Sequence, residues 1–223
     1  VPIIKYYKQM GFKLEEMKSF LDGNTYWACE KGFREKIDEL KELENEIYLK
    51  YTSVKDWYDL VLEAESVIDN NVQEVSVKYL EPTSYCFLDQ NFNFNFMESI
   101  INIEWTNYIE KINNAITGPV MHSFSSLRER MEKSSKRVRI MQNTILECRE
   151  CEIMKFGGHM AASCYHIGPH ETINEAYEKI CQWGEKHGYS LGPQTYERYV
   201  TDYWTTRNKD QFVTEIIIPI VRS

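Results

Sequence analysis

A single carboxylate lies inside an otherwise apolar segment near the carboxy terminus. Residues 213–220 read Val-Thr-Glu-Ile-Ile-Ile-Pro-Ile, a pattern typical of a buried strand in which Glu215 shares a face with Val213 and Ile217. A charged group at such a position must form an ion pair, remain hydrated in a cavity, or bind a proton through a raised pKa. Glu215 is therefore the first candidate for chemistry.

Aromatic residues crowd the segment just before this strand. Residues 196–204 include three tyrosines and Trp204. A carboxylate beside aromatic faces can form a binding site for organic cations. The alternative is an ion pair within the fold, between Glu215 and Arg198 or a nearby lysine. The sequence leaves both interpretations open.

Metal binding and nucleophilic catalysis find little support. Cys148 and Cys151 have a CxxC spacing, but no second pair completes a zinc site, so surface thiols are the favoured interpretation. His166 and His170 are separated by a Gly-Pro pair and do not share a helical face. No Ser/His or Cys/His catalytic set is recognisable by spacing. We expect no metal and no cofactor.

Composition indicates an ordinary globular protein. The chain has 223 residues, 43% of them hydrophobic and 27% charged, which suits one domain with an extension or two small domains. No apolar run has the length of a membrane span, and the first residues are not a secretion signal, so we expect a cytoplasmic protein without a membrane partner. A formal net charge of −8 argues against nonspecific contact with nucleic acid.

The first 70 residues contain little glycine or proline, and their apolar residues recur at helical spacing. The pattern predicts helices over residues 2–10, 14–21 and 25–68. In the third helix the apolar residues follow alternating steps of four and three, interrupted by Glu44 and Glu65, which is a heptad seam. The seam consists of Phe33, Ile37, Leu40, Ile47, Tyr51, Val54, Tyr58, Val61 and Ile68.

This third helix is about 60 Å long, which is more than a small domain can cover. One interpretation is a helix packed on its own domain. The favoured one is a homodimer in which a second copy covers the seam.

After Asn71 the periodicity changes to two, and glycine and proline appear. We expect residues 75–80 and 83–88 to form a hairpin around Glu81 and Pro82, and Thr172 and Glu175 to form a capping box at the start of a helix. Predicted strands cover residues 75–80, 83–88, 120–124, 138–145, 159–165, 196–202 and 213–221, and predicted helices cover 97–116 and 172–187.

These elements form two β-α-β-β units. The predicted fold is therefore α+β: a long dimerisation helix followed by a domain of two pseudo-symmetric units. The groove between the two units is the natural position for a ligand.

Five segments carry a resemblance to known families. Residues 157–171, 174–178, 199–204 and 213–219 resemble the second half of a GyrI-like effector-binding domain. Residues 6–21 are similar to the last two helices of the DNA-binding domain of MerR-family transcription regulators. The order of parts matches the multidrug-sensing regulators of that family. The resemblance divides the chain into a remnant of a MerR-type DNA-binding domain (1–23), a dimerisation helix (24–70) and a GyrI-like domain (71–223).

The resemblance implies an antiparallel pairing of the long helices. In that family a helix-turn-helix and a wing precede the helices seen here. We therefore expect this chain to lack most of the DNA-binding domain, and we expect promoter DNA to be a partner only of the full-length parent.

The resemblance also implies an aromatic pocket for flat or lipophilic, often cationic, small molecules. Glu215 occupies the motif position at the pocket floor, where burial is expected to raise its pKa in the empty state, and Tyr199 and Tyr165 carry over from neighbouring strands. Three further aromatic residues are candidates because of their aromatic character and their expected positions: Trp204, Trp105 and Tyr85. For each of these aromatic candidates the alternative is a role in the hydrophobic core.

The sequence thus predicts the effector-sensing part of a MerR-family regulator. An alternative is a GyrI-like hydrolase in which Glu215 activates water. A third interpretation, a pure interaction module, requires a pocket filled by side chains.

Overall fold

The structure, a computed structural model, describes residues 2–23 and 25–222. They divide into two compact units, one ending at Tyr51 and the other beginning at Thr52. The helices are α1 (Pro2–Gln9), α2 (Leu14–Gly23), α3 (Tyr26–Asp69), α4 (Phe96–Ser99), α5 (Ile103–Lys111), α6 (Leu127–Met131) and α7 (Asn174–His187). The strands are β1 (Ser76–Leu80), β2 (Thr83–Asn91), β3 (Val120–Phe124), β4 (Arg137–Asn143), β5 (Ile153–Phe156), β6 (His159–Ile167), β7 (Tyr189–Leu191), β8 (Thr195–Thr201) and β9 (Val213–Arg222).

The amino-terminal unit is helical and packs around aromatic rings. The Phe12 ring lies edge-on to Tyr7 at 5.4 Å and to Phe33 at 5.5 Å between ring centroids. Lys36 is buried, and its ammonium group lies 3.2 Å from the carboxylate of Glu16. The three helices predicted for the first 70 residues are confirmed, with bounds that differ by at most two residues.

The heptad seam of α3 is open to solvent over much of its length in the single chain. Ile47, Tyr51 and Val54 are 57%, 64% and 70% exposed. Further along the helix, Leu60 and Val67 lie on a different stripe and pack in the core of the carboxy-terminal unit. None of the helices in the described residues combines the length and apolar character that a membrane crossing requires.

The carboxy-terminal unit is built on a curled antiparallel sheet. Its strand order is β1-β6-β9-β8-β3-β4-β2-β5, and β7 pairs with β9. The segment β2-α5-β3-β4 and the segment β6-α7-β8-β9 have the same order of elements and meet at the β3–β8 pair. The predicted α+β fold with two pseudo-symmetric units is therefore confirmed.

Helices cover both faces of this sheet. On one face, α5 packs Trp105 and Ile109 near β3 and β8, and α7 packs Tyr177 and Ile180 near β6 and β9. On the other face, the last turns of α3 pack against β8 and β9. Both faces of β8 and β9 are thereby removed from water.

The predicted hairpin around Glu81 and Pro82 is wrong. Strand β1 pairs with β6, whereas β2 pairs with β4 and β5. The chain bends at Glu81 opposite a second bend at Gly157, where a Cβ atom would lie 2.3 Å from the Glu81 carbonyl oxygen. Because the bend at Pro82 lies beside the bend at Gly157, β1 continues into β2 opposite β5 and β6, and the four strands stay in antiparallel contact. The Glu-Pro sequence predicted a turn but did not show which strand pairs with β1.

The predicted helix over residues 97–116 is divided into α4 and α5. The Asn102 side chain accepts a hydrogen bond from the Trp105 backbone N–H at 2.8 Å and begins a new helix there. The predicted capping box is also wrong. Thr172 belongs to a 3-10 turn and its hydroxyl donates to the Pro169 carbonyl, so α7 begins at Asn174.

Candidate functional site

Two carboxylates lie in the middle of the sheet and face opposite sides of it. Glu197 is directly opposite His122 on β3, and its neighbour Arg198 is directly opposite Glu215 on β9. Because successive side chains of a strand alternate, Glu197 faces α7 while Arg198 and Glu215 face α3. The sheet therefore separates two polar clusters.

Glu215 is held in a dense ionic cluster. Its side chain is 1% exposed, and Oε2 accepts a hydrogen bond from Nε of Arg198 at 2.7 Å. Its Oε1 accepts hydrogen bonds from Nζ of Lys78 and Oγ of Ser163. Arg198 also donates to Glu63 on α3. The ion pair that the sequence allowed between Glu215 and Arg198 or a lysine is thus confirmed with both partners.

The pKa of Glu215 is not raised, contrary to the sequence-based expectation. Burial by itself raises the pKa of this carboxyl, but the charges of Arg198 and Lys78, with hydrogen bonds from Lys78 and Ser163, hold the pKa below its ordinary value. Glu215 is therefore an ionised side chain whose two oxygens already accept three hydrogen bonds within the fold. That state suits a structural role, because Arg198 and Lys78 compensate its charge.

Glu197 forms a second cluster, on the α7 side of the sheet. The side chain is fully buried; Oε1 accepts hydrogen bonds from Nε of Arg130 at 2.6 Å and from the Tyr177 hydroxyl at 2.8 Å. Its Oε2 accepts from the Tyr199 hydroxyl at 2.7 Å. The Tyr199 oxygen also lies 2.9 Å from Nδ1 of His122.

The protonation states in this cluster follow from burial and charge. Burial raises the pKa of the Glu197 carboxyl, but Arg130 and the hydrogen bond from Tyr199 reverse this effect and hold the pKa below its ordinary value. Burial lowers the pKa of His122 to about 4. At neutral pH the cluster thus contains one carboxylate, one guanidinium and an uncharged imidazole.

A cavity of about 750 Å³ opens beside this second cluster. Its walls come from the β2–α4 connection, from α6 and the residues that follow it, from the turn before α7, and from the β8–β9 connection. It is lined by Phe94, Asn95, Phe96, Met97, Arg130, Lys133, His170, Glu171, Tyr203, Trp204, Thr205, Thr206, Arg207, Lys209 and Phe212.

Aromatic contacts shape the inner part of the cavity. The His170 ring stacks on Phe212 at 5.3 Å and lies 5.0 Å from Phe96. Burial lowers the pKa of His170 to about 4, and neither ring nitrogen has a hydrogen-bond partner among the described residues. The Tyr203 hydroxyl donates to the Met97 carbonyl oxygen, which joins the β8–β9 connection to α4 across the cavity.

The β8–β9 connection begins with a tight turn at Asp202. The carboxylate is 2% exposed and accepts a hydrogen bond from the Trp204 backbone N–H at 2.8 Å. Burial raises the pKa of Asp202 to about 6, and the backbone hydrogen bond offsets only part of this effect. Asp202 therefore acts as a turn residue that sets the position of Trp204.

The six candidate residues from the sequence lie in different parts of the domain. Glu215 and Tyr165 meet in the ionic cluster, where the Tyr165 hydroxyl donates to Glu63 at 2.7 Å. Tyr85 packs beside Phe156 at 5.5 Å, near this cluster. Ligand contact by each of the six stays a prediction.

The other three candidates lie on the α5 and α7 side. Tyr199 binds Glu197, and Trp105 is fully buried among core residues of α5. Trp204 is 61% exposed and lines the cavity.

Sequence reasoning missed Glu197 and Arg130. Like Glu215, Glu197 is a carboxylate within a predicted strand, and the same pattern could have identified it as a candidate. Arg130 lies in a polar run, Leu-Arg-Glu-Arg-Met, that has no feature of a buried site. Its role depends on α6 being folded against β8, 67 residues further along the chain.

Several solved structures are similar to this chain, and the EcmrR structures share its fold. The structure of the EcmrR–DNA complex in EcmrR-RPo matches 99% of this chain and 81% of the EcmrR chain, with 18% identity and a TM-score of 0.55. The EcmrR C-terminal domain matches 68% of this chain and 99% of its own, also with 18% identity and a TM-score of 0.55. A hydrolase from Listeria innocua matches 67% of this chain and 93% of its own, with 10% identity and a TM-score of 0.47.

No curated protein shows significant sequence similarity to this chain. The family model of the GyrI-like small molecule binding domain matches residues 73–221, which is most of the carboxy-terminal unit and more than half of the chain. The protein therefore belongs to the GyrI-like family of small-molecule-binding domains.

Proposed function

We propose that this chain is the effector-sensing part of a MerR-family transcription regulator and that its effector binds in the 750 Å³ cavity beside Arg130 and Glu197. The cavity carries the proposal. It combines an aromatic cluster of Phe96, His170 and Phe212, whose rings pack on one another, with an exposed Trp204, which suits a lipophilic aromatic molecule. Its volume is within the range of small-molecule sites.

The architecture supports a regulator. EcmrR, whose structure was determined on DNA, has the same fold over nearly the full length of this chain. The proposed partners are an effector, a second copy of the chain through the exposed seam of α3, and promoter DNA for the full-length parent. The seam supports dimerisation, because a row of exposed apolar side chains in water is unfavourable and a second copy supplies a matching surface.

The cavity is favoured over Glu215 as the ligand site. Glu215 does not line the cavity, and all its charge is compensated by Arg198 and Lys78. A general base for hydrolysis works best with a pKa near the working pH, whereas Arg198 and Lys78 hold the pKa of Glu215 below its ordinary value. We therefore propose ligand sensing at the cavity and a structural role for Glu215.

Binding of a tricyclic aromatic compound tests the proposal. We expect calorimetric titration of anthracenecarboxylate, anthracenecarboxamide and anthracenylmethylammonium to show saturable one-to-one binding of at least one compound. Replacing Trp204 by alanine should weaken that binding about tenfold, because one stacking surface is lost. The matched control is Tyr79→Ala, which removes an aromatic side chain that is 51% exposed on β1 and outside the cavity.

Two results would contradict the proposed function. One is the absence of saturable binding by all three compounds, and the other is an equal loss in the Trp204 and Tyr79 variants. Recovery of the methyl ester of anthracenecarboxylate after incubation, followed by mass spectrometry, tests the hydrolytic alternative. We expect the ester to be recovered uncleaved.

A further inference from the structure

Arg130 presents an unsatisfied donor at the cavity. Its side chain is 1% exposed, and Nε is engaged by Glu197, but Nη2 is buried and has no acceptor among the described residues. A buried guanidinium N–H without an acceptor is unfavourable, so an oxygen atom placed there by a ligand would stabilise the site. Arg130 is one of the residues that line the cavity, so a molecule bound there lies next to its side chain.

The aromatic rings around Arg130 already form cation–π contacts with its guanidinium group. Its guanidinium carbon lies 5.1 to 5.5 Å from the centroids of four rings. Ring faces attract a cation at this distance, and here the cation belongs to the protein. A cationic ligand that used these ring faces or Glu197 would have to displace Arg130 from them. The four rings are those of Phe94, Phe96, Phe124 and Tyr177.

The remaining charges of the cavity are also mostly positive. Among the described lining residues, Arg130, Lys133, Arg207 and Lys209 are basic and Glu171 is acidic. Glu171 lies 3.7 Å from Lys209, and Glu197 behind the wall pairs with Arg130.

Two positively charged residues of the cavity, Lys133 and Arg207, form no ion pair with a described carboxylate. Both side chains are exposed. They give the cavity an excess of positive charge, although the whole chain has a net charge of −8. An anion therefore meets a favourable local potential in a protein that otherwise repels it.

We propose that the cavity selects aromatic anions, with an acid group of the ligand bound by Arg130 and its rings packed against Trp204 and the aromatic cluster of Phe96, His170 and Phe212. This proposal rests on the proposed function and adds the charge class of the effector. His170 contributes as well, because an uncharged imidazole offers a second N–H to the acid group. A carboxylate bound in this way gains charge-assisted hydrogen bonds that a neutral amide of the same shape lacks.

A matched set of ligands tests the charge class. We expect wild-type protein to bind anthracenecarboxylate roughly tenfold to a hundredfold more tightly than anthracenecarboxamide. Anthracenylmethylammonium should bind more weakly than the amide, and the advantage of the carboxylate should shrink at high salt. Equal affinity for the three compounds, or a preference for the ammonium, would overturn the inference and leave the proposed function intact. No binding by any of them would contradict both.

Two variants locate the source of the preference. Lys133→Gln combined with Arg207→Gln removes the unpaired rim charges and should reduce the carboxylate affinity about threefold to tenfold at low salt, with little effect on the amide. The matched control is Lys155→Gln combined with Lys186→Gln, which removes two exposed charges, on β5 and α7, outside the cavity. An equal effect in the control would assign the loss to net charge alone and overturn the rim contribution.

Arg130→Met paired with Glu197→Gln removes the buried ion pair as a unit and avoids leaving either charge alone. In this variant the preference for the carboxylate over the amide should fall below about threefold. Its circular dichroism spectrum and thermal transition establish folding first. If the variant does not fold, the ligand set on wild-type protein and the rim variant decide the question, and a preference retained in a folded variant would overturn the role of Arg130.

Discussion

Nε of Arg130 lies 2.6 Å from Oε1 of Glu197, and both side chains are almost completely buried. Arg130 belongs to α6 in the first pseudo-symmetric unit, whereas Glu197 belongs to β8 in the second. The pair therefore joins the two units beside the cavity. Hydrogen bonds from Tyr177 and Tyr199 complete the shell of the carboxylate, so that neither charge is left uncompensated.

Removing the charge of Glu197 should strongly destabilise the fold. In Glu197→Gln the Arg130 guanidinium stays buried without a counter-charge, and the expected loss in free energy of unfolding is about 3–5 kcal/mol. Urea denaturation followed by circular dichroism measures it. Glu171→Gln, which breaks a pair that is 61–70% exposed, is the control and should cost less than about 1 kcal/mol. Similar losses in the two variants would show that the buried pair is not specially stabilising.

Glu215→Gln tests whether Glu215 has a structural role while the ligand binds at the cavity beside Glu197. Because Arg198 keeps Glu63 as a partner, we expect a loss of about 1–3 kcal/mol in free energy of unfolding. Ligand affinity, measured by calorimetry with the anthracene compound that binds best, should change less than about twofold, because Glu215 does not line the cavity. A tenfold loss of affinity in a folded Glu215→Gln protein would instead place the ligand at Glu215.

The seam of α3 should hold a homodimer. Charges placed at Ile47 and Val54 would be buried without partners in an interface, so Ile47→Glu combined with Val54→Glu should give a monomer at micromolar concentration in sedimentation velocity. Glu42→Lys changes an exposed residue on another side of the same helix and should leave the dimer intact. A monomeric wild-type chain would contradict the interface.

Acidification should weaken the fold through its buried histidines. In the folded chain burial lowers the pKa of His122 and His170 from 6.5 to about 4. The unfolded chain binds protons in this window and the folded chain does not, so stability present above pH 6.5 is lost as pH falls towards 4, by up to about 3 kcal/mol per histidine. Asp202, whose pKa is raised to about 6, acts in the opposite direction because its protonation favours the folded state.

Comparing variants shows how much His170 contributes to the pH dependence of the free energy of unfolding. The free energy of unfolding of His170→Gln, compared with wild type by urea denaturation from pH 7 to pH 4.5, should fall less steeply with acidification. His187→Gln, at the exposed end of α7, is the matched control and should follow wild type. Parallel curves for all three proteins would mean that His170 does not contribute to the pH dependence.

The helices and several strands could be predicted from the sequence because their signals are local. The 3.6-residue periodicity of residues 26–69, the left-handed Gly188 at the end of α7 and the apolar run of β9 each depend on neighbours in the chain. Glu215 was likewise recognised as a buried charge within its own strand. The pairing of that charge with Arg198 was open from the sequence and was decided by the β8–β9 register.

The amino-acid sequence by itself determined the helical first part, the α+β second part and the presence of a carboxylate that required compensation. Only the tertiary structure decided that β1 pairs with β6 and that Glu197, not Glu215, lies beside the cavity. Neighbouring side chains of a strand face opposite sides of the sheet, but this rule does not predict which helix covers each side. Arg130 reaches Glu197 through contacts between residues far apart in the chain, and no local pattern encodes such a contact.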